Sequence, residues 1–181
     1  QLNYITKKPS SVSAKAYANG EIVSDGVDYN DEIELIELNV EADQQDALIF
    51  YTLNAGNPSF TKVSGTDRQK LDAQYTGSGP ATILLDNIRY VKLNGLWYQC
   101  GAETCLYEER IQVDESIYQN NYLTVNAQAL MEGCVISSPD RYSYSLTLRE
   151  QVEAPTATPV GGSKIQMGSQ VNLFCETTDS R

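Results

Sequence analysis

Four cysteines, one acidic stretch and one aromatic group are the parts of this sequence that could carry chemistry, and histidine is absent. The lack of histidine excludes Ser-His-Asp and Cys-His catalysis, HExxH zinc sites and imidazole general bases. Function must therefore be inferred from cysteine use, from the distribution of charge and from the pattern of strands.

The cysteines lack the CxxC spacing of a zinc site, and their number is even. In a tyrosine-rich sequence of β type, this predicts two disulfides and an oxidising compartment. Three ways of pairing the four cysteines are possible. We favour the one in which a Cys100–Cys105 bond clips a tight turn and a Cys134–Cys175 bond ties down the C-terminal hairpin. Four buried free thiols are the alternative.

Acidic residues are concentrated in one segment. Ten of the 24 acidic residues lie between residues 16 and 61, where there is no Lys or Arg, and the rest of the chain has 14 acids and 13 bases. Five neighbouring residues offer enough oxygen atoms for calcium: Asp25, Asp28, Asn30, Asp31 and Glu32. The glycine and the distal Glu of an EF-hand loop are missing, so a solvated acidic loop is the main alternative. We expect no cofactor, with calcium as the one candidate ion.

An aromatic group lies in residues 89–113, and its members are Tyr90, Trp97, Tyr98 and Tyr107. It could form a surface that stacks on sugars, although such residues more often pair across strands in a core. Acidic residues of the same region could act as the paired carboxylates of a glycoside hydrolase, namely Glu103, Glu108, Glu109, Asp114 and Glu115. Nothing in the sequence sets their separation, so we predict that the protein is not an enzyme.

The net charge of −11 argues against nucleic acid as a partner, because phosphate binding requires basic patches. No run approaches the roughly 18 apolar residues that a membrane helix needs, so we predict no membrane span in this chain. The sequence begins with Gln, which fits a removed signal peptide. An extracellular or cell-surface location is therefore expected.

The framework that positions these residues is predicted to be made of short strands. Asn94-Gly95 suits a type I′ turn in a three-stranded meander over residues 89–113, and Asn19-Gly20 suits a second hairpin. Residues 32–41 alternate with a one-residue shift at Leu35-Ile36, which predicts a β-bulge. Residues 47–53 are apolar on both faces and predict a central strand, and residues 67–74 are the one helical segment.

Ten to twelve such strands predict an all-β fold, an antiparallel β-sandwich of immunoglobulin-like or jelly-roll type with little helix and stabilised by disulfides. We expect an N-terminal arm over residues 1–10 and a single domain over residues 11–181. That domain ends in a C-terminal hairpin at 163–176, preceded by a Pro- and Thr-rich connector at 153–162.

Residues 11–53 resemble the start of the β-rich head of archaellins and related archaeal pilins, where a hairpin strand is followed by an alternating strand, a polar turn and an apolar strand. The plan of a tyrosine-rich sandwich with a short N-terminal arm is also similar to TasA-type (camelysin family) matrix fibre proteins and archaeal bundling pili. The resemblance implies subunits linked by donation of a terminal strand to the next sheet. The long apolar N-terminal helix and a matching cysteine pattern are missing.

We therefore expect a structural subunit of an extracellular filament, a pilus or matrix fibre, that forms homo-oligomers by β-strand addition. The contact arm would comprise Leu2, Tyr4 and Thr6, which fill pockets in the next subunit, and Lys7 and Lys8, which meet carboxylates of the acidic segment. The alternative is a monomeric adhesion module that binds glycans or a receptor through the aromatic group, in a calcium-dependent manner if the acidic loop binds the ion.

Overall fold

The protein was analysed as a computed structural model, which describes residues 9, 11–23, 28–29, 33–77, 80–136, 138–146, 156–158, 164, 166–168, 170 and 172–174. Within these residues the chain is predominantly β and contains one α-helix, α1 (Gly65–Gln74), and two short 3-10 helices, Ala42–Gln44 and Glu115–Ile117. The strands are β1 (Ser13–Ala18), β2 (Glu21–Val23), β3 (Asp28–Tyr29), β4 (Leu35–Asn39), β5 (Leu48–Leu53), β6 (Phe60–Lys62), β7 (Ala81–Leu85), β8 (Ile88–Leu93), β9 (Leu96–Cys100), β10 (Cys105–Leu106), β11 (Ile111–Gln112), β12 (Tyr122–Leu130), β13 (Asp140–Leu146), β14 (Thr156–Thr158) and β15 (Asn172–Phe174).

These strands form three larger sheets and one small one. The first sheet has the order β11-β4-β1-β2, the second β10-β5-β12-β13-β3, and the third β6-β9-β8-β7. Neighbouring strands are antiparallel except β13 and β3, which are parallel. The prediction of a predominantly β, antiparallel protein is confirmed at this level, and the immunoglobulin-like or jelly-roll type stays a prediction.

Tight turns close the hairpins as the sequence predicts. Both residues of Asn19-Gly20 and of Asn94-Gly95 have positive φ, as a type I′ turn requires. Asp86 and Asn87, between β7 and β8, also both have positive φ, and the sequence analysis did not predict this turn. Asn and Asp tolerate the left-handed region better than other non-glycine residues, which explains this turn without glycine.

The first and second sheets share one apolar cluster, which we call the first core. Its buried members come from β1, β2, β4 and β11 on one side and from β5, β12 and β13 on the other, with Val12 and Ile33 just outside the strands. Burying an aliphatic or aromatic side chain of this size contributes about 1.5–3 kcal/mol. This cluster is therefore the main source of stability in the part of the chain that carries the acidic segment.

Strand β5 is covered on both faces, as its sequence predicts. Ile49, Tyr51 and Leu53 pack against the first core. Leu48 and Phe50 point the other way into a second core, which they share with residues of β8 and β9, among them Val91 and Cys100. Successive side chains of a strand alternate between faces, so one apolar strand serves two cores.

Helix α1 confirms the one predicted helical segment, and Leu71 is its buried residue. Beside it, the indole Nε1–H of Trp97 donates to Asp72 Oδ1 at 2.9 Å, and the Tyr75 ring meets Trp97 edge to face. The helix therefore lies against the β9 strand of the third sheet.

The predicted three-stranded meander is wrong in its third strand. β8 and β9 form the expected hairpin, but β10 pairs with β5 of the second sheet and β11 with β4 of the first. The place beside β9 is taken by β6. The backbone of Gly101 and the hydroxyl of Thr104 both bond to Ser59, which turns the chain out of the third sheet.

The phase shift expected near residue 35 is present. Ile33, Ile36 and Leu38 are buried, so the spacing of inward residues changes from three to two. Glu34 N–H donates to Tyr17 O at 2.8 Å although Tyr17 is in register with Leu35. The extra residue lies at Glu34-Leu35, one position before the predicted Leu35-Ile36, and it keeps Glu34 out of the core.

The chain divides into two compact units, Gln1–Thr147 and Leu148–Arg181. In the second unit, β15 pairs with β14, so residues 156–158 of the predicted connector are a strand. The prediction of a hairpin within 163–176 is therefore wrong, because β15 of that segment pairs with β14, which lies earlier in the chain. Met167 and Gly168 form a turn, with positive φ at Gly168.

Candidate functional site

A groove lies where the first and second sheets separate at their edges. Its lining comes from the end of β4, the start of β5 and the segment that links β10 to β11, and its volume is about 440 Å³. The lining residues are Glu37, Leu38, Asn39, Val40, Gln45, Ala47, Leu48, Ile49, Tyr107, Glu108, Glu109 and Arg110. We call this feature the edge groove.

Both walls of the edge groove are strand edges. On the β11 side, β4 is paired only at Leu35 and Ile36, and Val113 N–H reaches back to Glu34 O. On the β10 side, β5 is paired at Tyr51 and Phe50, and the last described bond on that side is Tyr107 N–H to Ile49 O. Within the described residues, the ends of both strands beyond these points have no strand neighbour on the groove side. Unpaired strand edges are templates for another extended chain.

Charged and polar groups at one wall are organised around Glu37. Arg110 Nη2 lies 2.6 Å from Glu37 Oε2, Asn39 Nδ2 donates to Glu37 Oε1 at 2.9 Å, and the Tyr17 hydroxyl donates to Oε2 at 3.4 Å. The guanidinium of Arg110 also lies over the Tyr17 ring, 5.4 Å from its centroid. The pKa of Glu37 is lowered, first by the Asn39 hydrogen bond and then by Arg110, against the opposing effect of burial.

The groove is acidic overall. Three glutamates line it against one arginine, and Arg110 is already paired with Glu37. Glu108 and Glu109 are exposed and make no ion pair with any described residue. An extended segment that brings basic side chains would therefore be favoured here over a neutral or acidic one.

The described chain enters the fold between β1 and β13, on the other side of β4 from the groove edge. Val12 is fully buried, its N–H donates to Asp140 Oδ2 at 2.7 Å, and its carbonyl accepts from the Tyr142 hydroxyl at 2.6 Å. The following residue, Ser13, is in register with Asn39, which lines the groove. The predicted contact-arm residues lie outside the described part of the chain; these are Leu2, Tyr4, Thr6, Lys7 and Lys8.

The predicted bond between Cys100 and Cys105 is absent. Cys100, Cys105 and Cys134 are free thiols, and Cys175 lies outside the described residues. Cys100 is buried in the second core, whereas Cys105 is exposed and in register with Tyr51, whose ring packs against the first core. Cys100 belongs to β9 of the third sheet and Cys105 to β10 of the second, and the Cys100–Cys105 clip is not formed.

Burial raises the pKa of Cys100 to about 11, with Arg89 acting in the opposite direction. It also raises the pKa of Tyr51 to about 12, with Cys105 and Tyr107 as further causes. Both cysteines line a cleft of about 590 Å³ together with Arg89 and the exposed Leu84. A thiol with a raised pKa is a poor nucleophile, so this cleft has no activated cysteine at Cys100.

The predicted aromatic surface is not assembled as one platform. Trp97 is fully buried, and Lys92 Nζ lies 5.7 Å from its ring centroid. Tyr107 packs edge to face on Tyr51, away from the third sheet. Tyr90 and Tyr98 are half-buried in β8 and β9. These aromatic residues act mainly as packing groups, with Trp97 the clearest case.

Of the candidate calcium ligands, Asp25, Asn30, Asp31 and Glu32 lie outside the described residues, and Asp28 is described only as backbone in β3. Among the described residues, no group of three or more Cys, Asp or Glu side chains is arranged to hold a metal ion. Calcium binding therefore stays a prediction.

Of the residues that define the edge groove, the sequence analysis singled out Tyr107 as part of the aromatic group and Glu108 and Glu109 as acidic residues of the central region. The pair Glu37–Arg110 joins two distant strands, and no local pattern shows it. One signal was present: Glu108, Glu109 and Arg110 form a charged run directly after a short strand, where the chain crosses between sheets.

No protein-family model, curated protein or solved structure matches this chain. Among the described residues, no helix has the length and apolar character needed to span a membrane.

Proposed function

We propose that this protein is a structural subunit of a filament at the cell surface or outside the cell, and that it assembles by β-strand addition. The observation that carries the proposal is the edge groove, whose two walls are open strand edges at the margin of the first core. A terminal strand from another copy would complete the backbone hydrogen bonds and cover apolar residues at the same time. The proposal assigns no catalytic role.

The strand donor in this proposal is the N-terminal arm. Its alternating Leu2, Tyr4 and Thr6 suit the apolar floor of the groove, where Leu38, Ala47 and Ile49 lie. Lys7 and Lys8 suit the acidic rim formed by Glu108 and Glu109. The arm precedes Val12, and its donation to the groove of another copy would follow the logic of domain swapping.

The sandwich architecture and the resemblance to archaellin, pilin and TasA-type head domains belong to the same proposal. A fold with two packed sheets and a short donor strand suits a fibre that must resist forces outside the cell. The free thiols at Cys100, Cys105 and Cys134 give no support to a disulfide framework, so the proposal rests on strand addition alone.

Charge reversal tests the arm without shortening the chain. The wild-type protein is expected to form fibres at high concentration in negative-stain micrographs, and Lys7→Glu/Lys8→Glu to form few or none. The matched control is Lys62→Glu/Lys70→Glu, which changes the net charge equally at two exposed sites away from the groove. Adding Glu108→Lys/Glu109→Lys to the arm variant is expected to restore fibres, because the charges across the contact are then exchanged.

The wild-type fibres should also weaken as salt rises, since the Debye length falls from about 10 Å at 0.1 M to about 3 Å at 1 M. Unchanged fibres in the arm variant would show that the arm is not the linkage. A monomer at every concentration in light scattering would overturn the filament proposal. The glycan- or receptor-binding module would then be the better reading, and a thermal midpoint that falls with a chelator would identify it as calcium-dependent.

A further inference from the structure

The outer strands of the sheets differ in length and charge. Within the described residues the three larger sheets end in β11 and β2, in β10 and β3, and in β6 and β7. β7 has five residues, and each of the others has two or three. Short or charged outer strands avoid unwanted pairing, and β7 has neither protection: residues 81–85 include no charged residue and no proline.

The backbone of β7 is regular and its outer edge is free of strand partners in the described part of the chain. Its register with β8 runs without interruption from Ala81↔Lys92 to Leu85↔Ile88. On this strand Leu84 is 61% exposed and offers a large apolar side chain to solvent. Burial of this apolar side chain in a contact between molecules would favour their association.

The turn determines which backbone groups of β7 point outward. Asp86 and Asn87 both have positive φ and form a two-residue turn, so Leu85 and Ile88 are a hydrogen-bonded pair. The pattern alternates along the hairpin. Ile83 and Ala81 therefore also bond to β8, while the N–H and C=O groups of Thr82 and Leu84 point away from it.

We propose that this edge pairs with β7 of a second copy of the same chain. With a two-fold axis at Ile83, Thr82 of one copy faces Leu84 of the other, and the two pairs exchange four N–H···O bonds. Leu84 then lies beside Thr82 of the partner on the same face, and no charged side chains oppose each other. The same five residues serve both copies, as an isologous contact requires.

Electrostatic repulsion opposes a second copy less at this edge than at the acidic parts of the surface. Each copy carries a net charge of −11, so two copies repel each other over most of their surfaces. Residues 60–100, which include the whole third sheet, have five basic and three acidic residues. The β7 edge is thus an uncharged strip in the region of the chain where acids do not predominate. The contact does not use the arm or the edge groove and is independent of the filament proposal.

The test measures dimer formation in full-length chains that carry Lys7→Glu/Lys8→Glu, so that fibre growth through the arm does not obscure it. Sedimentation equilibrium is expected to show monomer and dimer. Adding Leu84→Lys should raise the dissociation constant at least tenfold. Ile22→Lys is the matched control, because Ile22 is 62% exposed on the outer strand β2, and it should leave the dimer unchanged.

Thr82→Pro is a second variant that removes an outward N–H without removing a bond to β8. It should also abolish the dimer, and unfolding followed by Trp97 fluorescence will show that both variants remain folded. Absence of a dimer at any concentration, or a dimer that survives both β7 variants, would overturn the inference. If fibres persist in the arm variant while Leu84→Lys removes the dimer, the arm linkage fails and the β7 contact stands.

Discussion

At the scale of single residues, the contact between Trp97 and Asp72 links the third sheet to helix α1. The indole is fully buried, and its one donor is satisfied by a carboxylate that also lies 3.4 Å from Arg68 Nε and 4.0 Å from Lys92 Nζ. The pKa of Asp72 is lowered, chiefly by the bond from Trp97 and also by the two cations, against the opposing effect of burial. Because Trp97 is the sole tryptophan, all indole fluorescence of the protein comes from this site.

Replacing Asp72 should destabilise the protein in a graded way. Asp72→Ala leaves a buried N–H without a partner, and we expect the thermal midpoint to fall by roughly 3–10 °C. Asp72→Asn keeps an oxygen acceptor and should lose less. Thermal unfolding followed by Trp97 fluorescence measures both, and equal midpoints for the wild type and Asp72→Ala would contradict the assignment.

The lowered pKa of Glu37 predicts how stability depends on pH. Since the folded state binds this proton less tightly than the unfolded state, the ionised form stabilises the fold above the ordinary pKa of about 4.3. That contribution is lost as the pH falls through the lowered value. Glu37→Gln should therefore reduce stability at neutral pH and flatten its decline in acid.

Urea denaturation at a series of pH values measures this effect. Glu41→Gln is the control, because Glu41 is exposed and its side chain has no described hydrogen bond or ion pair. The prediction fails if Glu37→Gln retains the full acid-dependent loss of stability.

Residue-level detail was only partly readable from the sequence. The even number of cysteines predicted disulfides, but whether two thiols can meet depends on where each lies in the assembled sheets. Cys100 and Cys105 are five positions apart, and the chain changes sheets between them. Likewise, the aromatic residues were recognised as a group, while the packing of Tyr107 against the first core and of Tyr98 against the second follows from pairings distant in sequence.

At the scale of elements, two identical Asn-Gly turns have different structural roles. In the β8–β9 turn, Asn94 Nδ2 donates to Cys134 O at 2.7 Å, and Asn94 Oδ1 accepts from Gly133 N–H at 2.7 Å. These bonds fasten the hairpin to the segment after β12. No hydrogen bond is described for the side chain of Asn19 in the β1–β2 turn.

Asn94→Gly should therefore cost about 2 kcal/mol of unfolding free energy, the loss of two hydrogen bonds, while glycine still permits the positive φ. Asn19→Gly is the matched control and should change stability by no more than about 0.5 kcal/mol. Chemical denaturation of the two variants distinguishes the roles, and equal losses would show that the Asn94 bonds contribute nothing.

The elements themselves were largely predictable, because local patterns determine them. The alternation in residues 32–41, the apolar run that became β5, the Asn-Gly hairpins and helix α1 all follow from periodicity and turn chemistry. The third strand of the meander and the partner of β15 were not predictable in this way. Both depend on long-range pairing, which a short strand's own sequence does not specify.

At the scale of the whole molecule, charge and apolar surface are distributed unevenly. The acidic segment lies mainly in the first sheet and the start of the second, whereas the third sheet and α1 carry most of the paired cations. This layout was visible in the sequence as a count of charges. The grooves and free edges that accompany it were not, because they arise where sheets fail to cover each other.

Asp140 and Tyr142 hold Val12 by two hydrogen bonds, and so fix the point from which residues 1–11 depart. Eleven residues span at most about 40 Å when fully extended. Donation of residues 1–11 to a neighbouring copy therefore requires the receiving groove to lie within that distance of the donor's Val12.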